Sequence, residues 1–212
     1  MKNNIAAQVV NHLRKEIILG KYQKGEPLIE TKLSDQLGVS RGPIREAISQ
    51  LVSEHLVEKF SNGRTAVVGF DILDIENLYD TRILLENHAL SQISKEIFDE
   101  NKEKLLSYIS QMREAEYYEQ RDIETDLSFH YLLVKMTGNG SLMHLWTAQR
   151  DIFRTLIDIT SEVTFTNQSE IIGQHVEIIE ALEQQDLEQS QKLLRKHLEE
   201  ACAHCCNGKK LL

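Results

Sequence analysis

Asp126, His130, His175 and His197 are residue types that ligate metal ions, and the apolar periodicity of three segments puts each of them where a buried face is expected. Around Ile123, Leu127, Tyr131 and Val134 the apolar stripe also takes in positions 126 and 130, which are neighbours on one helical face. Asp126 and His130 therefore point inward together. The same test on Ile171, Ile172, Val176, Ile179 and Leu182 places His175 in its stripe, and on Leu187, Leu193, Leu194, Leu198 and Ala201 it places His197 there. A single histidine on an apolar face is more often a hydrogen-bonded core residue than a ligand. One carboxylate and three imidazoles converging on a helical core carry more weight, because buried polar groups need partners and this set suits a divalent metal ion. Zinc fits first, with nickel and manganese as alternatives.

The chain that must position these groups has 212 residues, enough for one large or two small domains, and its 41% hydrophobic content suffices for a buried core. No stretch approaches the ~18 consecutive apolar residues of a membrane span. The start, MKNNIAAQVVNHLRKEI, has an amphipathic helical pattern and not that of a secretion signal. Neither secretion nor a membrane partner is expected. Cys202, Cys205 and Cys206 crowd into the last eleven residues, where they cannot form a disulfide framework, so a reducing cytoplasm is the natural setting.

The net charge of −9 argues against nucleic acid only until the chain is divided. Residues 1–70 carry ten Lys or Arg against seven Asp or Glu, or +3, which leaves fourteen against twenty-six, or −12, for the remainder. A mildly basic head on an acidic body is compatible with DNA binding by the head alone.

That head begins with a helix from Ile5 to Leu19 that Gly20 stops, followed by a loop containing Gly25 and Pro27. A short helix over Thr31–Leu37 ends at Gly38, and Ser40 is positioned to cap a helix over Arg41–His55 with Pro43 in its first turn. Two helices joined by a turn containing glycine make a helix-turn-helix. The second buries Ile44, Ala47, Ile48 and Leu51 and leaves Arg41, Arg45 and Ser49 able to reach phosphates and base edges. Leu56–Phe60 and Thr65–Phe70 flank Ser61-Asn62-Gly63-Arg64, a strong hairpin signal, and a hairpin after a recognition helix is a wing with Arg64 at its tip. Beyond Phe70 the pattern is all-helical, with helices expected at about 72–97, 99–117, 121–137, 141–162, 168–184 and 186–204. The fold class is mainly α: a winged helix-turn-helix DNA-binding domain over 1–70 and an all-helical effector and dimerisation bundle over 71–212.

The segment LIETKLSDQLGVSRGPIREAISQLVSEHLVE, followed by NGR, resembles the winged-helix domain of GntR-type bacterial transcription regulators. Its specific part is Gly38-Val39-Ser40-Arg41, then Pro43, then Arg45-Glu46-Ala47. The later helices resemble the metal-binding branch of the FadR-type effector (FCD) domain through Asp126-x-x-x-His130, His175 and His197, so the likeness covers nearly the whole chain. It implies that Arg41 and Arg45 contact DNA from the recognition helix, with Ser40 and Arg64 beside them, and that Gly63 lets the wing approach the minor groove. Thr31 departs from the family pattern, which often carries an arginine there that touches DNA. The resemblance further implies a homodimer reading a two-fold operator and repression relieved by a ligand. Family members also use an arginine on the first effector-domain helix to hold an acidic ligand, and here Arg82, with Glu86, occupies that helix. An arginine fork suits a small carboxylate, which could complete the shell of the metal.

Other readings of the same residues remain. Arg82 and Glu86 are spaced for an intrahelical ion pair. A metal-dependent hydrolase or lyase would use the open metal position to activate water with Glu86 as base, although a winged helix with exposed arginines has no evident use in an enzyme. The metal site could also serve the stability of the bundle alone. Trp146 fits the core, and Arg150 and Arg154 carry no assigned role. Cys202, His204, Cys205 and Cys206 match no established zinc spacing, and a frayed helix end is the simpler reading.

Overall fold

The structure is a computed structural model and describes residues 5–118, 120–165 and 167–212. The chain divides into two compact units, the first ending at Asp74 and the second spanning Ile75–Leu211. Among the described residues no helix is long and apolar enough to cross a membrane.

In the first unit α1 (Ile5–Ile18), α2 (Glu30–Leu37) and α3 (Arg41–Ser53) precede a hairpin of β1 (Val57–Lys59) and β2 (Thr65–Val67). Val9, Leu13 and Ile17 of α1 pack with Leu33 of α2 and with Ile44 and Leu51 of α3, which is the helical periodicity realised as a core. Gly38 ends α2 in the left-handed region at φ 65°, and its N–H donates to the Ser34 carbonyl. Ser40 does occupy the N-cap of α3, but its side chain makes no capping hydrogen bond, so its hydroxyl does not perform the expected capping. The strands pair antiparallel with Val57 opposite Val67 and Lys59 opposite Thr65, and both are shorter than the sequence suggests. Gly63 takes φ 80° in the turn, where its N–H donates to the Phe60 carbonyl at 2.9 Å. Arg14 of α1 lies fully buried against Glu54 at the C-terminal end of α3.

The second unit is all-helical: α4 (Ile72–Leu90) starts at its border and is followed by α5 (Lys95–Tyr117), α6 (Ile123–Lys135), α7 (Gly140–Ser161), α8 (Gln168–Glu183) and α9 (Leu187–Leu211). Helix α8 packs on α5 and α9, α6 on α5 and α7, and α7 on α9. Asp122, Asn139 and Asn167 cap α6, α7 and α8 with side-chain oxygens that accept from backbone N–H groups of the first turn. The caps of α6 and α8 fix where two of the three segments that carry Asp126, His130, His175 and His197 begin.

Two helix boundaries differ from the expected ones. The single helix expected over 72–97 stops at Leu90, because Ser94 accepts from the Ile97 N–H and starts α5 there instead of at residue 99. Helix α9 does not fray at residue 204 but runs to Leu211, with Cys205 and Cys206 buried. Gly208, a residue type that often ends helices, lies so close to α7 that an added Cβ would stand 2.6 Å from the Thr160 Cβ. Close packing of α7 and α9 thus keeps the tail helical.

Candidate metal and effector site

The four expected ligands meet. Asp126 and His130 come from consecutive turns of α6, His175 from α8 and His197 from α9. The His130 Nε2 lies 3.2 Å from Nε2 of both His175 and His197, and His175 Nε2 lies 3.3 Å from Asp126 Oδ1. One ligand atom from each residue falls within 4.8 Å of the other three. The three histidines are buried.

The opposite ring nitrogens determine which lone pairs face the centre. His130 Nδ1 donates to Glu86 Oε2 at 2.6 Å, His175 Nδ1 to the Ile171 carbonyl at 2.8 Å, and His197 Nδ1 to Gln174 Oε1 at 2.7 Å. With each Nδ1 committed as a donor, the Nε2 atoms turn toward one another and toward a carboxylate. Such an arrangement is repulsive unless a cation or shared protons lie among the atoms. Burial pushes the His175 pKa down to about 4 and that of His197 well below the ordinary histidine range. Burial opposes ionisation of Asp126, but the neighbouring His175, His130 and Arg82 outweigh it and hold its pKa below the usual carboxylate value. Three imidazole Nε2 atoms and a carboxylate oxygen that converge while each Nδ1 is engaged elsewhere form a donor set that a divalent metal takes, so the residues fit one.

Glu86, fully buried on α4, joins the surrounding groups. Its Oε1 accepts from Arg82 Nε and from Trp146 Nε1, both at 2.8 Å, while Oε2 takes the His130 proton. Burial alone would raise its pKa, but His130 and Arg82 prevail and hold it at about 2. Glu86, expected beside an effector, thus accepts from Arg82, Trp146 and His130, and it is not among the residues that line the cavity bordered by Arg82. The Arg82–Glu86 ion pair weighed from spacing is present. Trp146 is core, as expected, and also donates into this network, which sequence alone does not reveal.

Arg82 is 1% exposed, with its guanidinium carbon 4.9 Å from the centre of the Phe153 ring. Its Nη2 is buried and has no hydrogen-bond partner. Arg82 also lines a cavity of about 440 Å³ together with Asp126, His197, Arg121, Gln174 and Glu200. Asp126 and His197 are thus the two candidate ligands that border this space, and Arg82, whose Nη2 has no partner, lines it with them. Gln174 and Glu200 carried no periodicity signal of their own and were not anticipated.

The cysteines build no second metal site: among the described residues only the Asp126, His130, His175 and His197 group converges. All three thiols are free, and burial drives the Cys202 pKa up to about 12, so it is not a reactive thiolate at neutral pH.

In the first unit Ser40, Arg41, Arg45 and Ser49 are exposed along the start and outer side of α3. Arg45 meets Glu30 through two hydrogen bonds, Nε to Oε1 at 3.2 Å and Nη2 to Oε2 at 3.0 Å. A groove of about 610 Å³ between α3 and the hairpin is lined by Glu30, Arg45, Ser49, Lys59, Gly63 and Arg64. Thr31, where an arginine was missed, is exposed next to Glu30.

Residues 5–67 match bacterial regulatory proteins of the gntR family, and residues 77–200 match the FCD domain. The chain belongs to the GntR family. It is a transcription regulator and not an enzyme, so the hydrolase or lyase alternative falls, in keeping with a Glu86 whose oxygens are already engaged. The GntR chain is 25% identical to the gluconate operon transcriptional repressor of Bacillus licheniformis over 199 residues, which cover 91% of this chain and 82% of the relative. Its fold resembles Lar, described as controlling expression of the Listeria monocytogenes agr system, with a TM-score of 0.70 at 20% identity over 94% of this chain and 95% of that one. The metal-free FCD domain of TM0439 matches with a TM-score of 0.56 at 22% identity, covering 68% of this chain and 99% of that domain.

Proposed function

We propose that this regulator is a cytoplasmic, homodimeric repressor whose hold on a DNA operator is released by a small carboxylate bound beside a divalent metal, zinc first. The observation that carries this reading is the shared cavity. Two candidate metal ligands and a buried guanidinium with an unpartnered Nη2 border one space of about 440 Å³.

Asp126, His130, His175 and His197 would hold the ion, which when bound supplies a Lewis-acidic position for a carboxylate oxygen. The protein's own groups do the rest. Arg82 donates from Nη2 to the ligand carboxylate, which gives an otherwise unsatisfied buried donor its partner. Glu86 keeps Arg82 and His130 in place. On the DNA side, Arg41 and Arg45 read the major groove, Ser40 contacts the backbone and Gly63 with Arg64 brings the wing to the minor groove. The ligand can relieve repression only by favouring the form of the dimer that holds DNA less tightly, since equal affinity for both forms shifts nothing. A relative that represses a gluconate operon supports a sugar-acid type of carboxylate.

A mobility-shift titration of zinc-loaded protein on DNA from its own promoter, with D-gluconate, citrate and lactate as probes, tests this reading. Specific binding that at least one of the carboxylates weakens, and that neutral glucose leaves alone, is expected. Binding indifferent to all carboxylates and to metal removal contradicts it.

A further inference from the structure

The three histidines differ in what receives the Nδ1 proton. Glu86 and the Ile171 carbonyl can only accept, so they fix the tautomers of His130 and His175 by themselves. The Gln174 amide carries both an acceptor and a donor, and nothing in its own chemistry decides which end meets His197. Were its NH2 to face the ring, Nδ1 would have to accept, the proton would move to Nε2, and His197 would lose the lone pair it turns toward Asp126, His130 and His175.

Glu200 makes that decision. Its Oε2 accepts from Gln174 Nε2 at 2.6 Å, while Oε1 lies 3.7 Å from Lys196 Nζ. An ionised carboxylate cannot donate, so it meets only the NH2 end of the amide and leaves the carbonyl end for His197. Glu200 lies on the same helix as His197, three residues on, and both residues border the cavity with Gln174.

We propose that Glu200 is a positioning residue for the metal site. It orients the Gln174 amide, and the amide in turn holds His197 as the Nδ1–H tautomer that can ligate through Nε2. This rests on the metal reading of the four-residue cluster, and the two can fail separately. Orienting partners of metal-bound histidines typically change metal affinity by about 10–100-fold when removed.

The test compares full-length wild type, Glu200→Gln and the exchanged pair Gln174→Glu with Glu200→Gln. Zinc affinity is read by chelator competition, and the His197 tautomer in metal-free protein by imidazole 15N shifts. Glu200→Gln is expected to weaken zinc by about tenfold and to give His197 a population protonated at Nε2. Exchange is expected to restore both, because a carboxylate at 174 can only accept from His197 while the amide at 200 donates to it. Loss of affinity with an unchanged tautomer reduces Glu200 to a nearby negative charge and overturns the proposal, as does wild-type affinity in Glu200→Gln. Wild-type protein that binds no zinc sinks the metal reading, whereas the tautomer of metal-free His197 still decides this one.

Discussion

Among the described residues each unit buries an arginine–glutamate pair, and the two pairs are built differently. In the first unit Arg14 meets Glu54 through two bonds of 2.7 Å, Nε to Oε2 and Nη2 to Oε1, with Asn11 accepting from Nη1 and Gln50 donating to Glu54. In the second, Arg82 reaches Glu86 by Nε alone, Glu86 divides its oxygens among three donors, and Arg82 Nη2 has no partner. The first pair joins α1 to the end of α3, and its geometry is that of a structural clamp. Arg82 of the second pair borders a cavity and has one buried donor without a partner, the position that the proposed carboxylate would fill. The contrast separates a fully paired charge pair from one whose arginine has an unpartnered donor.

The largest effect that would sharpen this contrast is expected from Arg14→Met. It strands a buried Glu54 carboxylate and should cost about 3–5 kcal/mol, read as a lower urea midpoint for the first unit. A loss below about 1 kcal/mol would break the comparison, because such a clamp would not be holding the unit. Acid should act next, on the second unit. The folded His175 pKa, about 4, lies below the ordinary 6.5, so the unfolded chain takes up the proton first. The stability from keeping His175 neutral is therefore complete above pH 6.5 and falls away toward pH 4, by up to about 3 kcal/mol in metal-free protein. Thermal melts between pH 7.5 and 4 that show no decline in the second unit would contradict it. Arg82→Met should cost less than Arg14→Met, about 1–2 kcal/mol, since Glu86 keeps donors from His130 and Trp146. Its signature is instead loss of carboxylate release in the mobility shift with DNA binding intact. Equal stability losses from the two arginine substitutions, with carboxylate response retained, would dissolve the distinction.

Much of this was legible in the chain because helical periodicity marks what is buried. Asp126, His130, His175 and His197 stand out as polar residues in apolar stripes, and that signal alone brings them together. Glu86 was legible only as a spacing with Arg82; its role depends on His130 and Trp146, which are 44 and 60 residues away. Gln174 and Glu200 lay outside the stripes and escaped notice for the same reason. The break at Ser94 was hidden because apolar residues continue through Ile93 and Ile97, and a side-chain cap won over the pattern. The extension of α9 past Gly208 depends on the proximity of Thr160, which no local propensity records. In the first unit the Gly38, Ser40 and Pro43 spacing and the Asn62-Gly63 turn located each element closely, because turn and cap chemistry there is local.

Elemental analysis of protein purified without chelator or affinity metal, beside His130→Ala and His175→Ala, tests the central claim most directly. About one zinc, nickel or manganese ion per wild-type chain, absent from both variants, is the expected result. A wild type that folds normally and carries no metal, even after dialysis against zinc, would contradict the account.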